Sequence, residues 1–292
     1  MPGIIIEPDD ACLYVTEACN SNCVMCPMSH HSRKRGLSMP EDHWEKIAEM
    51  IPADTKHITI TGGEPFLECE KLFPAMETIN ETFPHSEVLV LTNGRAFALP
   101  SIRRKVERLI TKQYCFAIPV HAPDALLHDQ VTQSPGSFDQ TMAALRFLSK
   151  TQAKIEVRIV AHKLNIDRLS EVFKMISDAC TRVTVINLIG MEMTGCAAAN
   201  RNDLWVDYQK VCNRSEEGIR YAILHGIDVG LYNFPLCTVP TKLWPMVKNS
   251  ISPRKVRYDK SCEVCKEHNA CGGMFYSTHA LGLCKVKPFV KE

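Results

Sequence analysis

The chain has 292 residues, of which 45% are hydrophobic and 23% are charged, a composition typical of a globular protein. Its formal charge of +1 gives no electrostatic reason to expect a nucleic-acid partner. No apolar run approaches the ~20 residues of a membrane-spanning helix, and the first ten residues show no secretory signal. We therefore expect a cytoplasmic protein without a membrane or nucleic-acid partner.

Short β-rich runs alternate with amphipathic helical patterns over the first two thirds of the chain. The predicted strands are Cys12–Thr16, His57–Thr61, Glu87–Thr92, Tyr114–His121, Ile155–Ala161 and Val183–Ile189. The first predicted helix begins after the capping signal Ser38-Met39-Pro40-Glu41. The other predicted helices cover Cys69–Thr82, Pro100–Thr111, Ser137–Lys150 and Ile166–Asp178. Six such units predict an α/β fold, an open partial (β/α)6 barrel of the TIM type. Its site is expected at the carboxyl ends of the strands.

The pattern changes after Ile189, which divides the chain into four predicted parts. Residues 1–10 are an N-terminal tail, and residues 11–200 form the barrel. Residues 201–232 are a linking helix region, with a helix near Asp207–His225. Residues 233–292, rich in Pro, Lys and Cys, form a small C-terminal module.

Fourteen cysteines in a chain without an export signal predict metal binding or catalysis rather than disulfides. Half of them are isolated by their spacing and are predicted to be small buried hydrophobes: Cys12, Cys69, Cys115, Cys180, Cys196, Cys212 and Cys284. The remaining seven fall into two groups, and we expect the function to lie there.

The first group is Cys19, Cys23 and Cys26, a C-x3-C-x2-C pattern directly after the first predicted strand. Three thiolates suit a 4Fe–4S cluster that leaves one iron open for a substrate or cofactor. The alternative is a zinc site that takes His30 or His31 as its fourth ligand. Both interpretations need the thiolate form, which the metal itself favours.

The segment Glu17–Pro27, together with Gly62-Gly63-Glu64-Pro65 after the second strand, resembles the radical S-adenosylmethionine (SAM) superfamily over about residues 11–190. This resemblance implies that Cys19, Cys23 and Cys26 hold a 4Fe–4S cluster whose open iron binds the amino and carboxylate groups of SAM. It also implies an external electron donor and reductive cleavage of SAM to a 5′-deoxyadenosyl radical, the cofactors carrying the chemistry.

The same resemblance implies roles for residues at the other strand ends. The SAM-binding residues it implies are Gly62, Gly63, Glu64, Pro65, Asn93, Arg158 and Gly190, with the Gly62–Pro65 motif taking the amino group. Arg158 could pair with the SAM carboxylate or form a salt bridge inside the barrel. Gly190 could meet the adenine or form a tight turn. Candidates for a general acid or base are His121, His162 and Glu192, by their expected place at strand ends.

The second group is Cys262, Cys265 and Cys271, with Cys237 upstream. It resembles the auxiliary-cluster region, of SPASM or Twitch type, found in radical SAM enzymes that modify peptides. The resemblance implies one auxiliary 4Fe–4S cluster held by these four cysteines, with Cys284 as a competing ligand. The spacing also permits a structural zinc knuckle.

Three further stretches extend the resemblance almost end to end: residues 128–141, residues 190–205 and residues 232–252 with Cys271-Gly272-Gly273-Met274-Phe275. Together they resemble the C-type radical SAM maturases of His-Xaa-Ser peptide systems. This implies modification of a ribosomally made peptide, alongside a second radical SAM protein. The alternatives are a radical SAM enzyme acting on a small molecule or RNA, and a non-catalytic zinc or iron–sulfur scaffold protein.

Overall fold

The computed structural model describes residues 2–7, 9–40 and 43–290, and within them most of the strands belong to one sheet. The strands pair in the order in which they follow each other along the chain. They are β1 (Gly3–Glu7), β2 (Asp10–Tyr14), β3 (His57–Thr61), β4 (Glu87–Leu91), β5 (Tyr114–Pro119), β6 (Lys154–Val160), β7 (Val183–Ile189), β8 (Asp228–Tyr232) and β9 (Val247–Lys248). Pairing is parallel from β2 to β9, and β1 is antiparallel to β2.

Helices connect the parallel strands, as such crossovers require. They are α1 (His30–Arg35), α2 (His43–Met50), α3 (Cys69–Thr82), α4 (Pro100–Leu109), α5 (Ala125–Thr132), α6 (Ser137–Leu148), α7 (Leu169–Ala179), α8 (Gly195–Ala199), α9 (Arg201–Leu204), α10 (Tyr208–Leu224) and α11 (Tyr276–Ala280). The predicted α/β partial barrel is confirmed. Glu41 of the predicted capping signal lies outside the described residues, and α2 begins two residues later.

Alternating side chains of each strand explain why the sheet forms with helices on its outer face. Ile58 and Ile60 of β3, Val88 and Val90 of β4 and Phe116 of β5 are fully buried against the helices. Burying such side chains contributes about 1.5–3 kcal/mol each. The opposite face carries polar residues, among them His57, Thr59, Glu87, Lys154 and Glu156, which line a cavity toward the amino ends of the strands.

The structure differs from the sequence prediction at both ends of the barrel. Residues 3–7, predicted to be part of a tail, form β1 and pair with β2. Residues 201–232, predicted to be a linking helix region, add α10 and also β8, which pairs with β7 in the main sheet. The strand predicted at Cys12–Thr16 begins two residues earlier, at Asp10. The barrel sheet therefore continues beyond the six predicted units.

The C-terminal residues form a small layer that packs on the barrel. β10 (Val256–Arg257) and β11 (Met274–Phe275) make an antiparallel pair. Phe234, Val239 and Leu243 belong to the same buried core as the barrel strands. Trp244 stacks edge-to-face on Phe289, with ring centroids 5.4 Å apart. The module is thus anchored to the barrel through shared apolar packing.

Candidate active site

The loop that carries the first cysteine group follows β2 and is fastened by α5. The backbone N–H of Asn22 donates to the carbonyl of Thr132 at 2.9 Å, and that of Val24 donates to the carbonyl of Val131 at 3.0 Å. Met25 is buried in an apolar cluster with Val131. These backbone hydrogen bonds and this apolar packing together hold the loop against α5.

The segment that begins α8 fastens the other end of the loop. The backbone N–H groups of Cys196 and Ala197 donate to the carbonyl of Cys26 at 2.9 and 3.3 Å. Gly195, with a φ of +53°, approaches the backbone of Pro27 so closely that a Cβ atom would collide with it. Only glycine fits this position without displacing the cysteine loop.

The three thiols of the loop share one electrostatic environment. Burial, and after it the neighbouring Cys19 and Cys26, raise the pKa of the Cys23 thiol to about 12. Burial likewise raises the pKa values of Cys19 and Cys26. The guanidinium of Arg33 opposes this by lowering the pKa of all three thiols. A metal would therefore have to displace the protons itself.

Arg33 is a site residue that sequence reasoning missed. It is 9% exposed, and its guanidinium donates to the carbonyl of Ser21 at 3.3 Å and to the Sγ of Cys196 at 3.1 Å. In the sequence it lies in His30-His31-Ser32-Arg33-Lys34-Arg35, which is typical of an exposed basic helix. His30 and His31, the proposed fourth zinc ligands, are exposed on α1.

Gly62 and Gly63 allow a close approach between two segments of the backbone of this chain. The N–H of Gly63 donates to the carbonyl of Thr16 at 2.6 Å, and that of Glu64 donates to the carbonyl of Ala18 at 2.8 Å. A Cβ atom on either glycine would collide with the backbone of residues 16–18. The glycine pair therefore lets the end of β3 lie directly against the start of the cysteine loop.

Glu64 is fully buried, and both of its oxygens accept hydrogen bonds from this chain. Oε1 accepts from the Thr92 hydroxyl at 2.6 Å and the Phe66 N–H at 3.1 Å, while Oε2 accepts from the Asn93 N–H at 2.7 Å. Burial raises the pKa of this carboxyl, and these three hydrogen bonds lower it in part. Glu64 thus joins the ends of β3 and β4.

Asn93 and Arg95 connect the end of β4 to the cysteine loop. The Asn93 amide donates to the Asn20 Oδ1 at 2.7 Å and lies 3.9 Å from the Sγ of Cys19. Arg95 donates to the carbonyl of Asn20 and to the Ser21 hydroxyl, the latter at 3.0 Å. The structure therefore brings the predicted residue Asn93 next to the first cysteine, and adds Arg95.

Arg158 and Gly190 have partners within the chain. Arg158 donates from Nε to Glu156 Oε1 at 2.5 Å, so the structure shows the interior salt bridge. The N–H of Gly190 donates to the Tyr232 carbonyl at 2.9 Å, and its carbonyl accepts from the Asn233 side chain at 3.2 Å. A Cβ at Gly190 would crowd the Asn233 backbone, which explains the glycine without any ligand.

The acid–base candidates occupy two different environments. His121 and His162 follow β5 and β6 and are 3% and 0% exposed. Burial lowers the pKa of His162 to about 4 and that of His121 well below its ordinary value, so both imidazoles are neutral at pH 7. Glu192 lies farther out, where its carboxylate pairs with Lys255 at 3.0 Å. The three do not form one catalytic group.

The second cysteine group surrounds one cavity in the C-terminal layer. Cys237, Cys262, Cys265 and Cys271 all line it. The rest of its lining is mainly apolar and includes Leu236, Met274, Val286, Pro288 and Phe289. Cys284 is absent from this lining, although it lies close enough to Cys237 for the two thiols to interact electrostatically.

Backbone N–H groups point at the sulfurs of this second group. Lys287 N–H donates to the Sγ of Cys237, and Phe289 N–H donates to the Sγ of Cys265, each at 3.4 Å. The Sγ of Cys271 accepts from two N–H groups, those of Leu236 and Gly273, at 3.4 Å. Hydrogen bonds of this kind favour the charged thiolate form that metals require.

Both thiol groups fit iron–sulfur clusters in the chemistry of their donors. The part of the chain that the structure describes holds no group of three or more Cys, His, Asp or Glu side chains arranged for a metal ion. A guanidinium near the first group and N–H donors at the second suit an anionic metal centre bound by thiolates.

The sequence profile of the radical SAM superfamily matches residues 13–176, more than half of the chain. The chain belongs to this superfamily. Two curated relatives are named AdoMet-dependent heme synthase. The one from Methanosarcina barkeri is 23% identical over 162 residues, 55% of this chain and 45% of its own, and the one from Nitratidesulfovibrio vulgaris is 22% identical over 204 residues, 68% and 53%. The chain thus spans about half the length of these relatives.

Solved structures share the fold at low sequence identity. Streptococcus suis SuiB bound to its precursor peptide SuiA has a TM-score of 0.59 at 13% identity, over 75% of this chain and 48% of SuiB. SuiB bound to S-adenosylmethionine has a TM-score of 0.60 at 12% identity, over 87% and 54%. An anSMEcpe structure with bound AdoMet has a TM-score of 0.59 at 14% identity, over 75% and 60%.

Superfamily membership implies SAM and a 4Fe–4S cluster as cofactors. Only the first cysteine group lies within the matched residues 13–176, so the family accounts for that group alone. Among the described residues, no helix is long and apolar enough to cross a membrane.

Proposed function

We propose that the protein is a radical SAM maturase that modifies a ribosomally made peptide. The observation that carries this proposal is the cavity in the C-terminal layer, which is lined by Cys237, Cys262, Cys265 and Cys271. It is supported by the likeness of the fold to SuiB, which was solved with its precursor peptide. A cavity ringed by four thiols, three of which accept N–H bonds, is suited to an auxiliary 4Fe–4S cluster.

In this proposal the residues of the chain hold and orient the reactants. Cys19, Cys23 and Cys26 would hold the first cluster, and Gly62–Pro65, Asn93 and Gly190 at the strand ends would line the site for SAM. When bound, the cluster and SAM together supply the radical chemistry of the superfamily. Because Glu64 is fully buried and already accepts hydrogen bonds from Thr92, Phe66 and Asn93, we assign it to holding the strand ends rather than to SAM.

The substrate in this proposal is a peptide with His-Xaa-Ser repeats, modified together with a second radical SAM protein and an external electron donor. The likeness to C-type maturases of such systems carries this finer assignment. His121 and His162 are neutral at pH 7 because burial lowers their pKa values, so either one would act as a base rather than an acid.

The first test measures SAM cleavage. The protein is reconstituted anaerobically with iron and sulfide, mixed with SAM and dithionite, and assayed for 5′-deoxyadenosine. We expect product from the wild type and none from Cys23→Ala. Cys180→Ala is the matched control, because Cys180 is a buried thiol at the end of α7 outside both groups. Equal rates for the wild type and Cys23→Ala would overturn the assignment of the first group.

The second test addresses the substrate. A synthetic peptide with His-Xaa-Ser repeats is incubated with the reconstituted protein, with and without the second maturase, and its mass is compared with that of a scrambled peptide. We expect a mass change in the repeat peptide alone. If SAM is cleaved but neither peptide changes in mass under either condition, the peptide assignment is wrong.

A tetrapyrrole substrate is the second candidate, because the two curated relatives are named heme synthases. Formation of heme absorbance on incubation with porphyrin precursors would favour it over the peptide. The scaffold alternative is tested by metal analysis, since zinc without iron in protein purified anaerobically would contradict both enzyme assignments.

A further inference from the structure

Among the residues that the structure describes, Arg33 is a buried cation without an anionic partner. Its hydrogen bonds within the described residues go to the Ser21 carbonyl, the Cys196 sulfur and the His30 Nδ1, and none goes to a carboxylate. Its Nε is buried and has no hydrogen-bond partner among the described residues. Burying a guanidinium without a compensating anion costs several kcal/mol. Such a group points to an anion that occupies the neighbouring space in the working protein.

The three thiols of the cysteine loop are the groups that would provide this anion. Arg33 lies close enough to interact electrostatically with Cys19, Cys23 and Cys26. Its guanidinium donates to the carbonyl of Ser21, which lies between the first two of these cysteines in the sequence. A cluster bound by three thiolates carries a net negative charge, and that charge grows by one when the cluster takes up an electron.

We propose that Arg33 is a positioning residue that raises the reduction potential of the cluster held by Cys19, Cys23 and Cys26. A fixed positive charge stabilises the more negative, reduced state more than the oxidised state. The step is a one-electron transfer from an external reductant to the cluster. No bond forms or breaks in it, and Arg33 keeps its proton. The proposal rests on the radical SAM cofactors and not on the identity of the substrate.

The neighbours of Arg33 on α1 do not share its position. Lys34 is exposed, and Arg35 is bound by the buried carboxylate of Glu17 at 2.8 Å. The contacts of Arg33 with Ser21 and Cys196 orient its guanidinium. Because the side chain is buried, its charge lies in a low-dielectric region. Charge at this depth is screened far less by salt than charge at Lys34.

The test measures the midpoint potential of the first-site cluster in reconstituted full-length protein by an EPR-monitored dithionite titration. The signal is assigned by its change when SAM is added. For Arg33→Gln we expect at least a tenfold lower ratio of reduced to oxidised cluster at a given solution potential, a shift of about 59 mV to more negative values. Lys34→Gln removes an equal charge from the exposed side of the same helix and is expected to leave the potential within about 10 mV of the wild type.

Arg33→Lys provides the second measurement and keeps the proposal testable if Arg33→Gln does not retain its cluster. Because it preserves the charge, its potential is expected to stay within about 30 mV of the wild type, a threefold change in the same ratio. The proposal would be overturned by an unchanged potential in Arg33→Gln. It would also be overturned by a shift of about 59 mV in Arg33→Lys, which is a tenfold change in the ratio of reduced to oxidised cluster. No peptide is needed, so the peptide assignment can fail while this result stands. A wild type without a SAM-responsive cluster signal would overturn the assignment of the loop and this proposal together.

Discussion

Replacing Glu64 is expected to destabilise the protein by breaking the junction between β3 and β4. The carboxylate accepts three hydrogen bonds while fully buried. In Glu64→Ala the backbone N–H groups of Phe66 and Asn93 lose their acceptor, and neither can reorient as the Thr92 hydroxyl can. An orphaned buried donor costs about 1–3 kcal/mol, so two of them cost about 2–6 kcal/mol.

Two variants separate this effect from others. Glu64→Gln keeps one oxygen for Thr92 and Phe66 but turns an amide N–H toward the Asn93 N–H, so one donor is lost, at about 1–3 kcal/mol. Glu77→Gln removes an exposed carboxylate from α3 and is expected to change the free energy of unfolding by less than about 0.5 kcal/mol. The loss of stability should therefore rise from Glu77→Gln through Glu64→Gln to Glu64→Ala.

Urea unfolding followed by far-UV circular dichroism, on preparations with equal iron content, measures these differences. The reasoning would be refuted if Glu64→Ala unfolded at the wild-type urea midpoint, since the buried hydrogen bonds would then contribute nothing. It would also be refuted if Glu77→Gln lost as much stability as Glu64→Ala.

Three further outcomes follow from the structure. Because burial lowers the pKa of His162 from 6.5 to about 4, this residue alone should contribute a loss of about 3 kcal/mol of stability as the pH falls from above 6.5 to 4. His162→Gln should therefore lose about that much less than the wild type between pH 7 and pH 4; urea midpoints at the two pH values test this, and equal losses would contradict it. Gly63→Ala should lower the free energy of unfolding by about 1–3 kcal/mol or more, because a methyl group there collides with the backbone of Ala18. An unchanged thermal midpoint would disprove this prediction. Cys237→Ala should lose one cluster's iron per chain and Cys284→Ala should lose none, since Cys237 lines the cavity and Cys284 does not; iron analysis showing the reverse would exchange their roles.

The barrel strands were predictable where the sequence repeats a strong local pattern. His57–Thr61 and Val183–Ile189 begin and end where predicted, because apolar residues bury one face of each strand. β8 was not predicted; its sequence, Asp228-Val229-Gly230-Leu231-Tyr232, contains an interior glycine, which weakens a strand pattern. That glycine leaves room for the Asn187 side chain, whose Oδ1 a Cβ atom would meet. Such a tertiary requirement leaves no local signal.

The site was predictable in its thiols and not in the groups around them. Cysteine spacing alone indicates which sulfurs can share a ligand, and the structure brings Cys237 and Cys271 to one cavity. The role of Arg33 depends on Cys196, which lies 163 residues away in the sequence, so no local pattern could reveal it. Two partners of Glu64, Thr92 and Asn93, follow the next strand, so no local pattern around Glu64 could reveal them either.

The fastening of the cysteine loop has a consequence for how the protein matures. The loop at residues 19–26 takes its hydrogen-bond partners from Thr132 and Cys196, so more than a hundred residues must fold before it is held in place. Contacts this distant in sequence form late, after the local helices and strand pairs. The three thiols are near the start of the chain, yet they are expected to reach their final arrangement among the last parts of the barrel. Iron delivered before α8 docks would meet a mobile loop, so cluster insertion should follow barrel closure rather than guide it.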